Sequence, residues 1–235
     1  MIAILKQQGV PFWNPYRTSH GGWNPLRGAQ RLLAFLRPDP DVWQDQARFW
    51  TWTDVKKWGE KMKAKDIWER GSKDFLASKA QDVEKLQNSA IHADYEEPEI
   101  SIADLAQHLT TEEVLDRVYE RDVNWWHENL LKDAHKSARY PVTVYEKHGG
   151  LALRRDPKII VGTIHSVKGG EADSVYVFPD LSRRGWIANW QNPATRASSF
   201  RLFYVAFTRA REKLTLCEPA SGEAVVFPTP EVSGK

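Results

Sequence analysis

A single cysteine, Cys217, stands in the 235 residues, which excludes an internal disulfide framework and leaves stability to burial. A lone thiol agrees with a reducing compartment, and the expected location is cytoplasmic. Long hydrophobic runs are also missing. The apolar opening Met1-Ile-Ala-Ile-Leu5 breaks at Lys6 and Gln7, too short for a signal h-region and far short of the roughly 20 residues of a membrane span. Nothing in the sequence asks for a membrane. Zinc-type spacing is absent, because the seven histidines form no ligand pattern with the one cysteine. No Gly-x-Ser-x-Gly elbow occurs either, so the expected metal set is none and a serine nucleophile has no support. Acidic side chains are missing altogether from residues 1–36, which carry four basic ones.

The charge that is present is segregated. Residues 37–149 carry 17 basic and 23 acidic side chains, a net of −6, whereas residues 150–235 carry 12 and eight, a net of +4. Basic ends around an acidic middle point to an insertion: the ends build one domain with a positive face and the middle folds outside it. Chance segregation is the competing explanation. With 41% hydrophobic content, the chain can bury one large or two modest cores.

Ile2 to Gln8 reads as the tail of a helix stopped by Gly9, so the chain is expected to begin inside an element. Val10-Pro-Phe-Trp13 then reads as extended, and Asn14-Pro15, Gly21-Gly22 and Asn24-Pro25 mark a long loop. Residues 27–36 have helical spacing. From Asp41 to about Lys147 the pattern is helical, about five helices, with Trp43, Trp50, Trp52, Trp58 and Trp68 along its first half. Thr110-x-x-Glu113 has the form of a capping box opening a helix toward Trp125-Trp126, and residues 140–147 read as a last helix stopped by Gly149-Gly150. The tryptophans offer either base stacking on single-stranded nucleic acid or the core of a small helical domain. The core reading is favoured. After Gly150 the apolar period shortens, and residues 158–163 and 174–179 have the look of buried parallel strands. Residues 200–211 read as a helix, residues 213–217 as a further strand, and residues 228–235 as a frayed tail. The arrangement is α/β.

Two segments carry chemistry. Thr163-Ile-His-Ser-Val-Lys-Gly-Gly-Glu171 leaves the end of a predicted strand, where open α/β sheets place ligands. Its glycines let backbone amides approach an anion, Thr163 and His165 can donate to phosphate oxygens, and Lys168 adds a point charge; a purely structural turn is the alternative. Arg201-Leu-Phe-Tyr-Val-Ala-Phe-Thr-Arg-Ala-Arg211 reads as an embedded helix crowding Thr208, Arg209 and Arg211 at one end. A guanidinium held this way is how a phosphoryl-transfer site obtains an arginine finger, though arginines at a helix end often only complement the dipole.

Together the segments are specific. Residues 163–173 resemble motif V, and residues 201–214 motif VI, of UvrD/Rep/PcrA-like superfamily 1 DNA helicases, in the same order and at a fitting separation. Gly9-Val-Pro-Phe, Pro15-Tyr-Arg17 and Gly21-Gly22 look like a stretched form of the segment before the helicase insertion. The resemblance implies a RecA-like parallel sheet, the second motor domain, from residues 1–36 and 150–220, interrupted by a mostly α-helical insertion over residues 37–149, with residues 221–235 as a tail. It implies that Arg209 reaches the γ-phosphate of ATP, that Glu171, Gly169 and Gly170 lie on the nucleotide side, and that Thr163, His165 and Lys168 serve the DNA side. Apart from the resemblance, Tyr16, Arg17 and Arg27 either contact the DNA backbone or only anchor their loop, and Arg17 is counted among the expected DNA contacts.

The chain departs from the pattern at Gly170, where leucine is usual, at Ala172, usually aromatic, and at Ser198 and Ser199, where acidic residues commonly stand. No Gly-x-x-x-x-Gly-Lys-Ser/Thr occurs in these residues, and neither does the acidic pair that would hold magnesium. ATP with Mg2+ is therefore expected to be held mainly by an N-terminal RecA-like ATPase domain supplied in cis or in trans, with single-stranded or partly duplex DNA as the other partner. The chain alone is expected to be inactive. A non-catalytic nucleic-acid-binding or adaptor remnant of a helicase is the rival reading.

Overall fold

A computed structural model describes residues 1–88 and 95–227; the tail expected over residues 228–235 lies outside them. The elements in chain order are α1 (Ile2–Gln7), β1 (Phe12–Trp13), α2 (Gln30–Phe35), α3 (Pro40–Trp43), α4 (Trp52–Gly59), α5 (Ser72–Gln87), α6 (Ile102–Ala106), α7 (Glu112–Tyr119), α8 (Val123–Glu128), α9 (Lys132–His148) and α10 (Leu151–Arg154). These are followed by β2 (Ile159–Ile160), β3 (Ala172–Val177), α11 (Arg183–Gln191), α12 (Pro193–Phe207) and β4 (Ala210–Leu216). The chain divides into two compact units, residues 1–161 and residues 162–235. It is mixed α/β and mostly helical, and each unit carries one two-stranded parallel pair, β1–β2 in the first and β3–β4 in the second. Neither pair amounts to a RecA-like sheet.

The first unit is built on its tryptophans, as the core reading expected. Trp50, Trp58 and Trp126 are fully buried around Phe35, whose ring lies 5.7 Å from that of Trp126 and 5.4 Å from that of Trp58. Two indoles are satisfied without water: Trp50 Nε1 donates to the Ala34 carbonyl at 2.9 Å and Trp126 Nε1 to the Trp58 carbonyl at 3.1 Å. An indole offers a large apolar area with one donor, which usually finds an acceptor when buried, although Nε1 of Trp58 and of Trp68 is buried without one among the described residues. For Trp50 and Trp126 the carbonyls near the ends of α2 and α4 serve, since the last carbonyls of a helix have no partner of their own.

Several local starts differ from expectation. Thr111, not Thr110, caps α7, accepting from the Val114 amide. The Thr110 hydroxyl instead donates to the Asp66 carbonyl. The helix also stops at Tyr119 rather than running on to Trp125, because Arg121 takes a positive φ of 54° and Asp122 starts α8 afresh. Full capping boxes form at Thr51/Asp54 and Ser101/Asp104. The expected last helix is longer than residues 140–147: α9 begins at Lys132 and runs through Pro141. A proline inside a helix removes one backbone hydrogen bond, and the burial of Ala134, Ala138, Val142 and Val144 along α9 offsets that loss.

In the β1–β2 pairing residues before and after the helical region meet in a strand ladder, Phe12 beside Ile159 and Trp13 beside Ile160. Asn14, fully buried, extends the junction by donating from Nδ2 to the Val161 carbonyl, while its amide donates to Asn24 Oδ1. The strands expected to be buried on both faces are not. Ile159 and Ile160 are each 41% exposed, because a two-stranded ladder has two open edges and lacks the covering layers of a full parallel sheet.

Two partly buried imidazoles make the first unit sensitive to acid. Burial lowers the pKa of His108, with the Asp104 carboxylate opposing it. Burial also lowers that of His127, whose ring stacks on His135 at 4.0 Å and whose charged form is favoured by the hydrogen bond to the His135 carbonyl. The unfolded chain therefore binds more protons than the folded one between the depressed folded values and the ordinary value of about 6.5. Stability from these groups is complete above the ordinary value and falls as pH drops through it. The urea midpoint is expected to be lower at pH 5.5 than at pH 7.5, with His127→Gln reducing the difference; an unchanged midpoint would show that burial does not govern these groups.

Candidate functional site

In the second unit α11 and α12 form the crossover that a parallel β3–β4 pair requires. Phe203 and Ala206 of α12 pack with Val177 of β3 and Val225 into a small core, and Ile164, Val175 and Phe207 close on it. This core positions the polar loop of residues 163–171. Ile164 points into it while Thr163 and His165, on either side, are exposed. The loop braces itself: the Ser166 hydroxyl donates to the Thr163 carbonyl at 2.8 Å, and the Ser166 amide donates to Thr163 Oγ1 at 3.3 Å. Thr163 keeps its own hydroxyl proton for a further acceptor. Lys168 is exposed, and Gly169 takes φ +89° with no atom within 4 Å of where a Cβ would sit. That left-handed conformation is one that other residues adopt only with strain, and the open space beside it leaves the backbone approachable.

The helix expected over residues 200–211 ends four residues early. It stops at Phe207, Thr208 and Arg209 form the turn, and Ala210 and Arg211 already belong to β4. Pairing with β3 prevails over helical spacing here, since a strand with β3 beside it gains a full hydrogen-bond ladder. The Ala172 amide donates to the Arg209 carbonyl at 3.1 Å, so the turn bearing Arg209 is tied to the end of the polar loop. Between the pairs Ala172↔Ala210 and Ser174↔Lys213 the register shifts, setting Arg211 and Glu212 opposite Asp173 alone. A bulge of this kind re-aims a side chain.

The two arginines of this turn therefore differ in their surroundings. Arg211 Nε lies 3.2 Å from Glu171 Oε2, and its Nη1 3.9 Å from Asp173 Oδ1. Arg209, half-buried, meets only neutral partners among the described residues: Nε donates to the Val205 carbonyl at 3.1 Å and Nη2 to Thr208 Oγ1 at 3.1 Å. Arg211 is thus charge-compensated and Arg209 is not. The ion pairs of Arg211 are exposed, with side chains 49–71% accessible, and such pairs contribute under about 1 kcal/mol. Glu171 can leave its partner at small cost.

The structure sets Glu171 beside the residue whose amide meets the Arg209 carbonyl and pairs its carboxylate with Arg211, a contact that depends on a bulge no local pattern reveals. Arg17 lies in the first unit, exposed, with its carbonyl accepting from Asn24 Nδ2. Arg27 anchors this loop, donating from Nη1 to the Thr18 carbonyl. Among the described residues no group of three or more His, Cys, Asp or Glu side chains is placed to hold a metal ion, and no helix is long and apolar enough to cross a membrane. A guanidinium without a carboxylate partner among the described residues and an open glycine turn suit an anionic ligand.

Comparison with known families agrees with the motifs. Residues 158–217 match the UvrD-like helicase C-terminal domain, a stretch of about a quarter of the chain that runs from β2 through β4. No curated protein and no solved structure matches the chain.

Proposed function

Since residues 158–217 are a UvrD-like helicase C-terminal domain, we propose that the chain supplies the second-domain share of an ATP-dependent DNA helicase motor used in DNA repair or recombination. In this reading residues 1–36 and 150–220 form one discontinuous RecA-like domain and residues 37–149 its helical insertion; the β1–β2 pairing joins the two flanks of the helical region within residues 1–161. Arg209 carries the reading. A half-buried guanidinium without a carboxylate partner is suited to stabilise charge on a transferring phosphoryl group, whereas Arg211 already has its counter-ions. Glu171, with Gly169 and Gly170, faces the ribose or phosphate side of the nucleotide. Thr163, His165 and Lys168 hold the phosphate backbone of the tracking strand; Arg17, in the first unit, is by itself a candidate for a DNA-backbone contact. ATP with Mg2+ supplies the phosphoryl group and the metal charge; the protein side of that chemistry here is Arg209 alone.

The rival reading, a non-catalytic nucleic-acid-binding or adaptor remnant, is favoured by one observation: these residues contain no Gly-x-x-x-x-Gly-Lys-Ser/Thr. Reconstitution separates the two. The chain alone is expected to show no DNA-stimulated ATP turnover, and mixing it with an N-terminal RecA-like half of the same family, carrying that motif, is expected to restore it. DNA binding that persists while no such half restores turnover would favour the remnant.

A further inference from the structure

Residues 181–211 contain six arginines and no acidic residue, and most of them lie on α11 and α12, outside the two motifs' proposed contacts. We infer that the exposed surface of α11 and α12 is a binding site for single-stranded nucleic acid, gripping phosphates with Arg183, Arg184 and Arg196 and stacking bases on Trp190 and Tyr204.

Charge placement is the first support. Arg183 and Arg184 open α11 directly after the Ser182 cap, and neither α11 nor α12 has an acidic residue in its first turn. Cations at that end oppose the helix dipole, where carboxylates would be the stabilising choice. Among the described residues the ion pairs of this unit are those of Arg211 with Glu171 and Asp173, so Arg183, Arg184 and Arg196 are left uncompensated. An arrangement that works against the local fold is accounted for by an anion that binds there. All six cations are arginine, the side chain that hydrogen-bonds phosphate with a planar fork and stacks on rings.

Exposed aromatics are the second support, and they are independent of the first. Trp190 is 65% accessible and Tyr204 68%, whereas the other ten tryptophans are buried or half-buried, Trp50, Trp58 and Trp126 fully so. Arg196, Phe200 and Tyr204 stand at i, i+4 and i+8, one face of α12, and Trp186 and Trp190 stand one turn apart on α11 with rings 6.1 Å apart. Charge by itself would suit any polyanion, and bare aromatic rings by themselves would suit a protein partner. Exposed rings on the same two helices as unpaired arginines suit a strand whose bases are free to leave their own stack, because every base offers a π-face and every nucleotide a phosphate. A duplex hides its bases, so the surface selects single strands. The inference rests on the helicase reading only in preferring nucleic acid to other polyanions; it needs neither ATP nor Arg209.

The test is fluorescence anisotropy of the 235-residue chain, without nucleotide, on a labelled 20-nucleotide oligo-dT and on a duplex of equal length, across a salt series. Trp190→Ala is expected to weaken oligo-dT binding roughly 5- to 100-fold, with Trp190→Phe restoring most of it and duplex binding little changed. The double variant Arg183→Gln/Arg184→Gln is expected to flatten the slope of log affinity against log salt by about 1.4, two phosphates at about 0.7 each for single strands. These side chains are exposed, so circular dichroism and thermal melting should match the parent chain. Affinity within twofold of parent for both variants would overturn the assignment. So would equal losses on single strand and duplex, or a Trp190→Ala effect that appears only as loss of self-association in size-exclusion chromatography, which would mark a protein interface. Because Arg209→Ala should leave this binding intact, a failure here and a failure of the helicase reading are distinguishable.

Discussion

Arg209→Ala is expected to lower the DNA-stimulated ATPase of the chain reconstituted with an N-terminal RecA-like half by about a thousandfold or more, the range over which arginine fingers act. The size follows from where the charge is needed. Phosphoryl transfer asks little covalent chemistry of the protein and much electrostatic stabilisation of the γ-phosphate oxygens as they change. Arg209 is half-buried at the end of α12, and its guanidinium is held by the Val205 carbonyl and the Thr208 hydroxyl. Neither partner neutralises it. Engaging a phosphate exchanges neutral acceptors for an anionic one, so the interaction strengthens as the reaction proceeds, which is what raises kcat rather than tightening binding alone. Arg211→Ala is the control: its charge is already shared with Glu171 and Asp173, and its removal should cost less than tenfold. Steady-state turnover at saturating DNA and ATP decides the matter. If the two variants exchange effects, the finger is Arg211 and the assignment to Arg209 is wrong.

Trp58→Ala is expected to destabilise the first unit by about 3–5 kcal/mol, the usual range for removing a large aromatic side chain from a core. Trp58 is fully buried, with its ring 5.4 Å from Phe35, 5.7 Å from Trp50 and 5.5 Å from Trp68. Neighbours cannot close the gap cheaply. The adjoining Gly59 leaves no room for even a Cβ, which would come within 2.4 Å of the Trp68 ring, so α4 and that indole are already in tight contact. Because whole-domain stabilities are about 5–15 kcal/mol, the variant should stand close to unfolding at room temperature. Urea titration followed by far-ultraviolet circular dichroism measures the loss, and Trp190→Ala, an exposed indole, should shift the midpoint by under about 0.5 kcal/mol. Equal shifts for the two would mean that the buried cluster does not carry the fold.

What could be read from the chain alone was local. The 3.6 period from Asp41 onward, the stop at Gly149, the shorter period after Gly150 and the paired motifs at residues 163–173 and 201–214 each depend on residues a few positions apart. Burial of the tryptophans was legible for a related reason: an indole carries more apolar area than a helix surface readily leaves in water. The choice between Thr110 and Thr111 as cap was not legible, since both are hydroxyls one position apart. The Asp66 carbonyl, 44 residues away, claims the first of them. Nor was the end of α12. Helical spacing runs on to Arg211, and only the β3 ladder turns residues 210–216 into a strand.

Sequence by itself determined the two paired segments at residues 163–173 and 201–214, the helical middle and the tryptophan core, because spacing and periodicity are properties of consecutive residues. Tertiary structure decided which arginine is neutralised. Among the described residues the bulge opposite Asp173 gives Arg211 two carboxylates and leaves Arg209 with none, and a charge is compensated by what lies within a few ångströms in space, whatever the distance along the chain.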